Sequence, residues 1–313
     1  MNLVLSKTIK LAPVVIFAFN RPDHLRKCLD SLRKNKVANN TEFRIFVDGP
    51  RNEGDLLKRN LIEKLLEEYK QHLRIEVSFA EENLGLAKSI IAGLNEVFSN
   101  SDRAIIVEDD LISSPFFLDF CNSGLDLFES NPRVASIHGF SYKFNKLETA
   151  PYFIKGADCW GWATWKNRWE LFEENADILI RELERRHLRR KFDLDGAYPY
   201  FNMLSRQSRG EVDSWAIRWH ASMFLANKLT LYPNQTLINN IGIDGSGTHA
   251  GQGKNINSIL SSTPINITKM EAVESVKARR KLKHFLRNHY GIRYKLSPFR
   301  IIIGIKRKLQ QKS

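Results

Sequence analysis

The stretch RAIIVEDDLISSPFF, residues 103–117, decides the fold class and locates the candidate site. It begins with a short apolar run, residues 104–107, of the kind typical of a buried strand. The run ends in three successive acids, Glu108, Asp109 and Asp110. Burial penalises a carboxylate that lacks a partner, and neighbouring carboxylates raise one another's pKa. The triplet therefore indicates either a solvated turn that leads into the next helix or a place where a cation binds.

The sequence before this stretch alternates short apolar runs with amphipathic segments. The predicted strands are 12–19, 43–49, 74–80 and 103–110, and the predicted helices are 21–35, 55–73, 85–99 and 114–130. In the second helix we expect the buried face to carry Leu57, Leu61, Leu65 and Tyr69, which recur at helical spacing. The alternation predicts βαβ units and an α/β fold with a mostly parallel, Rossmann-like sheet flanked by helices.

Polar residues follow several of the predicted strands. They are Asn20, Asp48, residues 80–83 and the acidic triplet. Ligands of open α/β sheets bind beyond the carboxyl ends of the strands, so we expect these residues along one edge. A Mg²⁺ or Mn²⁺ ion needs only one or two carboxylates, with phosphate oxygens and water completing its shell. If the strand continues through the triplet, Glu108 and Asp110 share one face and Asp109 takes the other.

The sequence changes character after residue 150, where aromatic residues become frequent. Trp160, Trp162, Trp165 and Trp169 lie within ten residues, and all six tryptophans fall between 160 and 219. Further predicted elements are a strand at 134–140, helices at 177–192 and 213–228, and short strands at 229–233 and 236–244. The tryptophans suit a core, but flat aromatic faces also suit sugar rings. Trp160 and Trp162, which flank Gly161, are therefore candidate acceptor contacts.

Length and composition predict a large cytoplasmic-type domain. The chain has 313 residues with 42% apolar content, enough for one sizeable α/β core, with or without an appendage. Its three cysteines lack metal-site spacing, which disfavours a disulfide scaffold or zinc site and favours a reducing compartment. No apolar run approaches the roughly 18 residues of a membrane span. The run at 11–19 is interpreted as the first core strand rather than as a signal peptide.

The positive charge is concentrated at the C-terminus. The chain has a net charge of +13, no acid follows Glu274, and residues 275–313 hold 13 lysines and arginines. The rest of the chain is therefore neutral overall. A basic tail suits an anionic membrane surface or a nucleic acid, and the simpler alternative is a solvated end.

Single residues in the loops have two interpretations each. Asp48 precedes Gly49 and is either a turn former or a hydrogen-bond acceptor for a base or ribose. The segment ENLGLAKSI places Asn83 and Lys88 at a loop-to-helix entry, where a helix N-terminus attracts phosphate. The pattern is common, because glycine and lysine occur near many helix starts.

Two later residues are candidates for chemistry. Asp213, in GEVDSW, suits the N-cap of the following helix, and a cap can also point a carboxylate into a cleft as a general base. His249 lies in the loop GSGTHAGQGK and is either a metal or phosphate ligand or a loop histidine without a role.

The ordered motifs FAFNRP, VDGP, ENLGLAKSI and VEDDL, followed by WGWATW, resemble nucleotide-sugar glycosyltransferases of the GT-A fold. The likeness is to family 2-like bacterial sugar transferases and, more distantly, to the N-acetylglucosaminyltransferases that begin complex glycans. It covers roughly residues 12–250. We therefore expect a GT-A domain at 1–250, with a nucleotide-binding half near 12–140, an acceptor-binding half near 141–250, and a basic extension at 251–313.

The resemblance also implies roles for individual residues. The residues implied to bind the nucleotide sugar are Phe19, Asn20, Arg21, Asp48, Asn83, Lys88, Glu108 and Asp109. Asp48 is implied to bind the base, most often uracil, and Asp110 to bind Mn²⁺ or Mg²⁺, with His249 as a late metal or phosphate contact. Asp213 matches the catalytic base of inverting members. The triplet departs from the family's Asp-x-Asp by beginning with glutamate.

The expected function is thus metal-dependent, inverting transfer of a hexosyl group from a nucleotide sugar, first of all a UDP-sugar. The expected acceptor is a saccharide or a lipid-linked glycan in polysaccharide synthesis. We expect a cytoplasmic enzyme with peripheral contact to the anionic inner membrane through residues 275–313, and no nucleic-acid partner. One alternative is a sugar nucleotidyltransferase, although residues 20–24 lack the glycine-rich loop typical of that class. Another is a non-catalytic nucleic-acid-binding module, for which no motif is present.

Overall fold

The computed structural model describes residues 10–144, 148–244, 256–268 and 270–295. The strands are β1 Val14–Ala18, β2 Glu42–Val47, β3 Arg74–Phe79, β4 Arg103–Glu108, β5 Leu111–Ser113, β6 Val134–His138, β7 Tyr152–Lys155, β8 Trp162–Trp165, β9 Leu229–Tyr232 and β10 Ile238–Asn240. The helices are α1 Pro22–Arg33, α2 Glu53–Lys70, α3 Leu86–Asn100, α4 Phe117–Phe128, α5 Lys166–Trp169, α6 Ala176–Arg185, α7 Arg189–Phe192, α8 Tyr200–Ser208, α9 Trp215–Leu225 and α10 Val276–Lys295.

The main sheet has the strand order β3-β2-β1-β4-β8-β6-β9-β7. The first four strands in this order are parallel to one another, and β6 and β9 are also a parallel pair. Strand β8 is antiparallel to both of its neighbours, and β7 is antiparallel to β9. The prediction of an α/β fold with a mostly parallel sheet is confirmed.

Strand β1 shows why helices cover both faces of the sheet. All five of its residues are buried, and successive side chains point to opposite faces. Val14 and Ile16 join the core beneath α1, whereas Val15 and Phe17 join a second core beneath α3. A strand that is apolar at every position is stable only between two helical layers.

Helix α2 is present as predicted, but it buries a different face. Leu57 and Leu61 are 67% and 53% exposed, and the helix instead buries Ile62 and Leu66 beside the expected Leu65 and Tyr69. Both sets recur at helical spacing, so periodicity alone did not separate them. The buried stripe is the one that lies against α1 and β3.

A small second sheet crosses the edge at which the acidic triplet lies. Strand β5 follows the triplet directly and pairs antiparallel with β10, so that Ile238 lies opposite Ser113. The Ile241 N–H then donates to the Asp110 carbonyl at 2.8 Å. The chain from β10 onwards is thereby brought against the end of β4.

The predicted basic extension contains a helix that packs on the body of the protein. Helix α10 buries Ala278, Leu282 and Leu286 in the main core. Just before it, Ser275 N–H donates to the Phe153 carbonyl at 2.8 Å, which joins the segment to β7. Over the described ranges, no helix combines the length and apolar content that a membrane crossing requires.

Candidate functional site

The acidic triplet forms a tight turn at the carboxyl end of β4. Strand β4 ends at Glu108, so the strand alternation expected through Asp110 does not continue. Asp109 and Asp110 are only 2% and 8% exposed. The guanidinium of Arg21 hydrogen-bonds to Asp109 Oδ1, and its Nη1 lies 3.0 Å from Asp110 Oδ2. One arginine from the loop after β1 thus neutralises part of the charge of the turn.

The remaining charge is poorly compensated. Burial, together with the negative charges of Asp110 and Asp109, raises the pKa of Glu108 to about 8. Burial also raises the pKa of Asp109 to about 7, against the opposing effect of Arg21. Asp109 Oδ2 is buried without a hydrogen-bond partner in the described part of the chain. The turn therefore favours the approach of further positive charge.

These residues fit a divalent cation bound together with a phosphate. The described residues contain no group of three or more histidine, cysteine, aspartate or glutamate side chains arranged to hold a metal ion. A Mg²⁺ or Mn²⁺ ion shared with a diphosphate needs only one or two carboxylates. Asp110 and the unpartnered oxygen of Asp109 offer that number. Gly242 lies against this position, because a Cβ there would be only 2.1 Å from Asp110 Oδ2.

The loop after β1 is held by a second ionic group. Asn20 donates to Asp55 Oδ1 at 2.6 Å, and Arg51 Nε donates to Asp55 Oδ2 at 2.9 Å. The hydrogen bond from Arg51 is the main reason why the pKa of Asp55 falls to about 2. The Arg51 guanidinium also lies over the Phe19 ring, 4.7 Å from its centroid. The loop is fixed in place, with Phe19, Asn20 and Arg21 all partly exposed.

Asp48 is engaged in hydrogen bonds within the protein. Its carboxylate accepts the N–H groups of Gly49, Leu84 and Gly85 and the side-chain amide of Asn83, at 2.9–3.0 Å. Four donors largely satisfy a carboxylate, so the group is occupied within the protein. Asp48 therefore ties the loop after β3 to the end of β2, and this interaction also engages Asn83.

Asp213 lies at the N-terminus of α3 rather than at the N-cap of its own helix. Helix α9 is capped by Ser214, whose side chain accepts the Ile217 N–H. The exposed Asp213 carboxylate instead accepts the Ala87 N–H at 3.3 Å. Gly85 precedes α3 with φ of +79°, and a Cβ there would lie 3.3 Å from Asp213 Oδ2. The expectation that Asp213 caps α9 was wrong, because the adjacent serine takes that place.

The other expected site residues lie in different environments. Lys88 is exposed on the first turn of α3, the turn that Asp213 contacts. Trp160 is partly exposed, and its backbone N–H donates to His138 Nε2 at 3.1 Å. Trp162 is fully buried against Trp215 and Trp219, with ring centroids 5.6 and 5.3 Å away. Trp162 is a core residue and does not face an acceptor. His249 lies outside the described residues.

Sequence reasoning missed Asp158, which follows β7. Its Oδ2 accepts the Tyr142 hydroxyl at 2.6 Å, and its Oδ1 accepts the Cys159 N–H at 3.0 Å. Asp158 is partly exposed among tyrosines. The available signal was a single acid between an apolar strand and the tryptophan cluster.

Comparison with known proteins finds one family model that matches part of the chain. Residues 14–152, a little under half of the chain, match the family model described as glycosyl transferase family 2. No curated protein sequence matches the chain. The family match spans β1 to β4, the acidic turn and the loops that carry Arg21 and Asp48.

Several solved structures are similar to part of this chain. Staphylococcus aureus TarS 1-349 in complex with UDP is 16% identical, with a TM-score of 0.32, over 41% of this chain and 34% of that one. The mannosyltransferase PcManGT from Pyrobaculum calidifontis, with GDP-Man and Mn²⁺, is 15% identical, with a TM-score of 0.32, over 44% and 40%. GalNAc-T7 with UDP, GalNAc and Mn²⁺ is 12% identical, with a TM-score of 0.45, over 72% and 42%.

This chain therefore spans between about a third and a half of the length of those solved structures. The family match and the observed sheet, with its acidic turn at the end of β4, are consistent with each other. Over residues 14–152, the chain is therefore similar to the glycosyltransferases of family 2.

Proposed function

We propose that the protein transfers a sugar from a nucleotide sugar to a hydroxyl of a saccharide or lipid-linked acceptor, with inversion at the anomeric carbon. A UDP-sugar is the first donor to test. The observation that carries this proposal is the placement of two kinds of carboxylate at one edge of the sheet. A buried acidic turn follows β4, and Asp213 contacts Ala87 in the first turn of α3, 126 residues earlier in the chain.

The acidic turn is suited to the diphosphate end of the donor. Asp110, with Asp109, would hold a Mn²⁺ or Mg²⁺ ion that offsets the charge building up on the leaving diphosphate. His249 remains a predicted additional contact. Arg21 already lies against both aspartates, and its planar guanidinium can bind a phosphate with two parallel hydrogen bonds. Lys88, exposed on the first turn of α3, offers a second positive charge.

Asp213 is suited to act as the general base. It is exposed and carries its carboxylate at the first turn of α3, whose N-terminal end favours negative charge. In the proposed step, Asp213 accepts the proton of the acceptor hydroxyl. The hydroxyl oxygen forms a bond to the anomeric carbon while the bond from that carbon to the diphosphate oxygen breaks. The nucleoside diphosphate leaves with the electron pair, and a single displacement inverts the configuration.

Asp48 acts in this proposal as a positioning residue. By accepting hydrogen bonds from the Leu84 and Gly85 N–H groups, it sets the entry of α3. That entry in turn positions the first turn of α3, which Asp213 contacts. The base of the nucleotide is then recognised by groups other than the Asp48 carboxylate.

Contact with an anionic membrane is proposed for the basic C-terminal residues. The exposed face of α10 carries Lys277, Arg280, His284 and Arg287 at helical spacing. Some cations of this helix already pair with the body, since Lys281 lies 2.6 Å from Glu148 and Lys283 lies 2.6 Å from Asp195. The exposed face, together with the basic residues after α10, would supply the membrane contact.

The first test is thermal unfolding with UDP, with and without Mn²⁺, for the parent chain and Asp110→Asn. Ligand at about 100 times Kd adds about 2.7 kcal/mol to the free energy of unfolding. In a protein of this size such a gain raises the midpoint by several degrees. We expect a metal-dependent rise that Asp110→Asn loses. The absence of a rise with UDP, GDP, dTDP or CMP would contradict the proposed function.

The second test separates catalysis from capping at Asp213. Asp213→Asn is expected to keep donor binding and lose turnover, because an amide cannot take the proton. Asp177→Asn is the matched control, since Asp177 also lies near a helix start, in the first turn of α6. Turnover of Asp213→Asn at the parent rate would show that Asp213 only caps α3.

A further inference from the structure

A recessed group of tyrosines surrounds Asp158. These tyrosines come after residue 152 and so lie outside the range that matches the family model. Tyr198 and Tyr200 have ring centroids 4.6 Å apart. Tyr290 lies 5.1 Å from Tyr198 and is nearly perpendicular to it. All three side chains remain partly exposed. They form an aromatic wall that solvent can still reach.

The polar atoms of this wall have unused hydrogen-bonding capacity. Within the described ranges, the hydroxyls of Tyr198, Tyr200 and Tyr290 make no hydrogen bond. Burial and the negative charge of Asp158 raise the pKa of Tyr290, and the same two causes act on Tyr200. A buried core normally satisfies its hydroxyls. Partly exposed, unpartnered hydroxyls around one carboxylate are typical of a site for a polar ligand instead.

Helix α10 builds part of this wall. It contributes Tyr290 directly, and its Phe285 packs edge-on against Tyr142 with centroids 5.5 Å apart. Lys283 Nζ donates to Asp195 Oδ2 at 2.6 Å. Asp195 has φ of +56° and sits in the turn that leads to Tyr198. Helix α10 therefore carries Tyr290, and through Lys283 it also holds the turn that positions Tyr198.

The wall adjoins the acidic turn through the loop of residues 156–161. Gly161 packs against Ile238 of β10, which pairs with the strand that follows the triplet. Burial raises the pKa of Cys159, and the charges of Asp158, Glu108 and Asp110 add to this effect. The negative charges of Asp158 and of the acidic turn therefore both act on the Cys159 thiol.

We propose that Asp158, Trp160, Tyr198 and Tyr290 form a subsite for a pyranose ring of the acceptor, and that helix α10 completes it. The inference rests on the proposed function and names its acceptor-binding residues. Aromatic faces pack against the C–H face of a sugar ring, and a carboxylate accepts hydrogen bonds from sugar hydroxyls. An acceptor ring held here is anchored by a part of the chain outside the region that matches the family.

The test is saturation-transfer NMR on the full chain with a panel of p-nitrophenyl glycosides, in the presence of UDP and Mn²⁺. Asp158→Asn and Tyr290→Phe are nearly isosteric, so both are expected to fold. We expect Asp158→Asn to weaken glycoside binding by about 10-fold or more, as loss of a charged hydrogen bond does. Tyr290→Phe should weaken it by a smaller factor. Asp177→Asn and Tyr69→Phe, whose residues lie on other elements, should leave it unchanged.

The binding of UDP is measured on the same samples by thermal unfolding. We expect every one of these variants to keep the midpoint rise caused by UDP. Glycoside binding that survives both Asp158→Asn and Tyr290→Phe would overturn the subsite and leave the proposed function intact. Absence of glycoside binding to the UDP-bound parent would also overturn it. Absence of any nucleotide effect on the parent would instead remove the proposed function and this inference with it.

Discussion

The guanidinium of Arg21 bridges the buried acidic turn, with Nη1 3.0 Å from Asp110 Oδ2 and a hydrogen bond to Asp109. A positive charge thus already lies where the proposed cation and diphosphate would bind. Arg21 and the cation therefore compete for the same carboxylates as long as no phosphate is bound. A bound phosphate would give Arg21 another partner. Replacement of Arg21 should therefore strengthen the binding of metal and weaken the binding of nucleotide.

Arg21→Gln should bind Mn²⁺ more tightly in the absence of nucleotide, by about tenfold for each 1.4 kcal/mol of lost competition. The same variant should bind UDP in the presence of Mn²⁺ more weakly, because a phosphate partner is lost. Electron paramagnetic resonance of free Mn²⁺ measures the first effect and calorimetry measures the second. Arg26→Gln, an exposed arginine on α1 paired with Glu68, is the control. Weaker Mn²⁺ binding in Arg21→Gln would mean that Arg21 supports the ligands instead.

Asp48→Asn should destabilise the protein before any ligand is added. The carboxylate accepts hydrogen bonds from four donors, and loss of buried charged hydrogen bonds costs about 1–3 kcal/mol. Binding of UDP and of GDP should weaken by similar factors, because the loop after β3 is loosened. Urea unfolding and calorimetry measure the two effects. A variant of parent stability that lost only UDP binding would show that Asp48 contacts the base.

Gly85→Ala should reduce turnover beyond its effect on stability. An alanine at φ of +79° costs about 1–2 kcal/mol, and its Cβ would crowd Asp213 Oδ2 at 3.3 Å. Gly210→Ala is the matched control, because Gly210 has φ of +69° and a methyl group added there would have no neighbour within 4 Å. Both variants should lose similar stability in thermal unfolding, and only Gly85→Ala should lose most of its kcat. Equal losses of kcat in the two variants would show that Gly85 does not act through Asp213, the proposed general base.

His138 should make the stability of the protein fall in mild acid. The imidazole is buried, which lowers its pKa below the usual 6.5. Its Nε2 accepts the backbone N–H of Trp160, so the proton is on Nδ1 and faces the Phe140 carbonyl. The unfolded chain takes up a proton near pH 6.5 and the folded chain resists it. The contribution of the neutral His138 imidazole to the free energy of unfolding is therefore full above pH 6.5. It is lost as the pH falls towards the pKa of His138 in the folded protein.

Chemical unfolding at pH 7.5, 6.5 and 5.5 measures this dependence. His138→Asn should be less stable than the parent at pH 7.5 and should show a shallower loss between pH 7.5 and 5.5. The partly exposed His24 provides the control His24→Asn, with a slope like that of the parent. An unchanged slope in His138→Asn would assign the acid sensitivity to another group.

Two truncations should behave differently at the C-terminus. Removal of residues 296–313 should leave folding and UDP binding intact and weaken binding to anionic vesicles. Removal of residues 276–313 should destabilise the fold, because α10 buries Leu282 and Leu286, and each such leucine contributes about 2–5 kcal/mol. For both truncations, vesicle sedimentation measures membrane binding and thermal unfolding measures stability. Vesicle binding that is unchanged without residues 296–313 would remove these residues from the membrane role.

The strands and helices near the acidic triplet were predictable because their signals are local. Each strand is a short apolar run, and the residues that α1 buries, Leu25, Cys28, Leu29 and Leu32, recur at helical spacing. The predicted helix at 177–192 divides into α6 and α7, where His187 takes φ of 52°. No local pattern marked that break, because it depends on how the two short helices pack on α8 and α9.

The sequence by itself determined the βαβ order, the parallel sheet and the position of the acidic triplet at a strand end, because periodicity and like-charge repulsion are properties of neighbouring residues. Only the tertiary structure decided the partners of the polar groups. Asp213 contacts α3, Asp48 holds the loop after β3, and Trp162 lies in the core. Those outcomes depend on side chains brought together from distant parts of the chain, which spacing along one element does not encode.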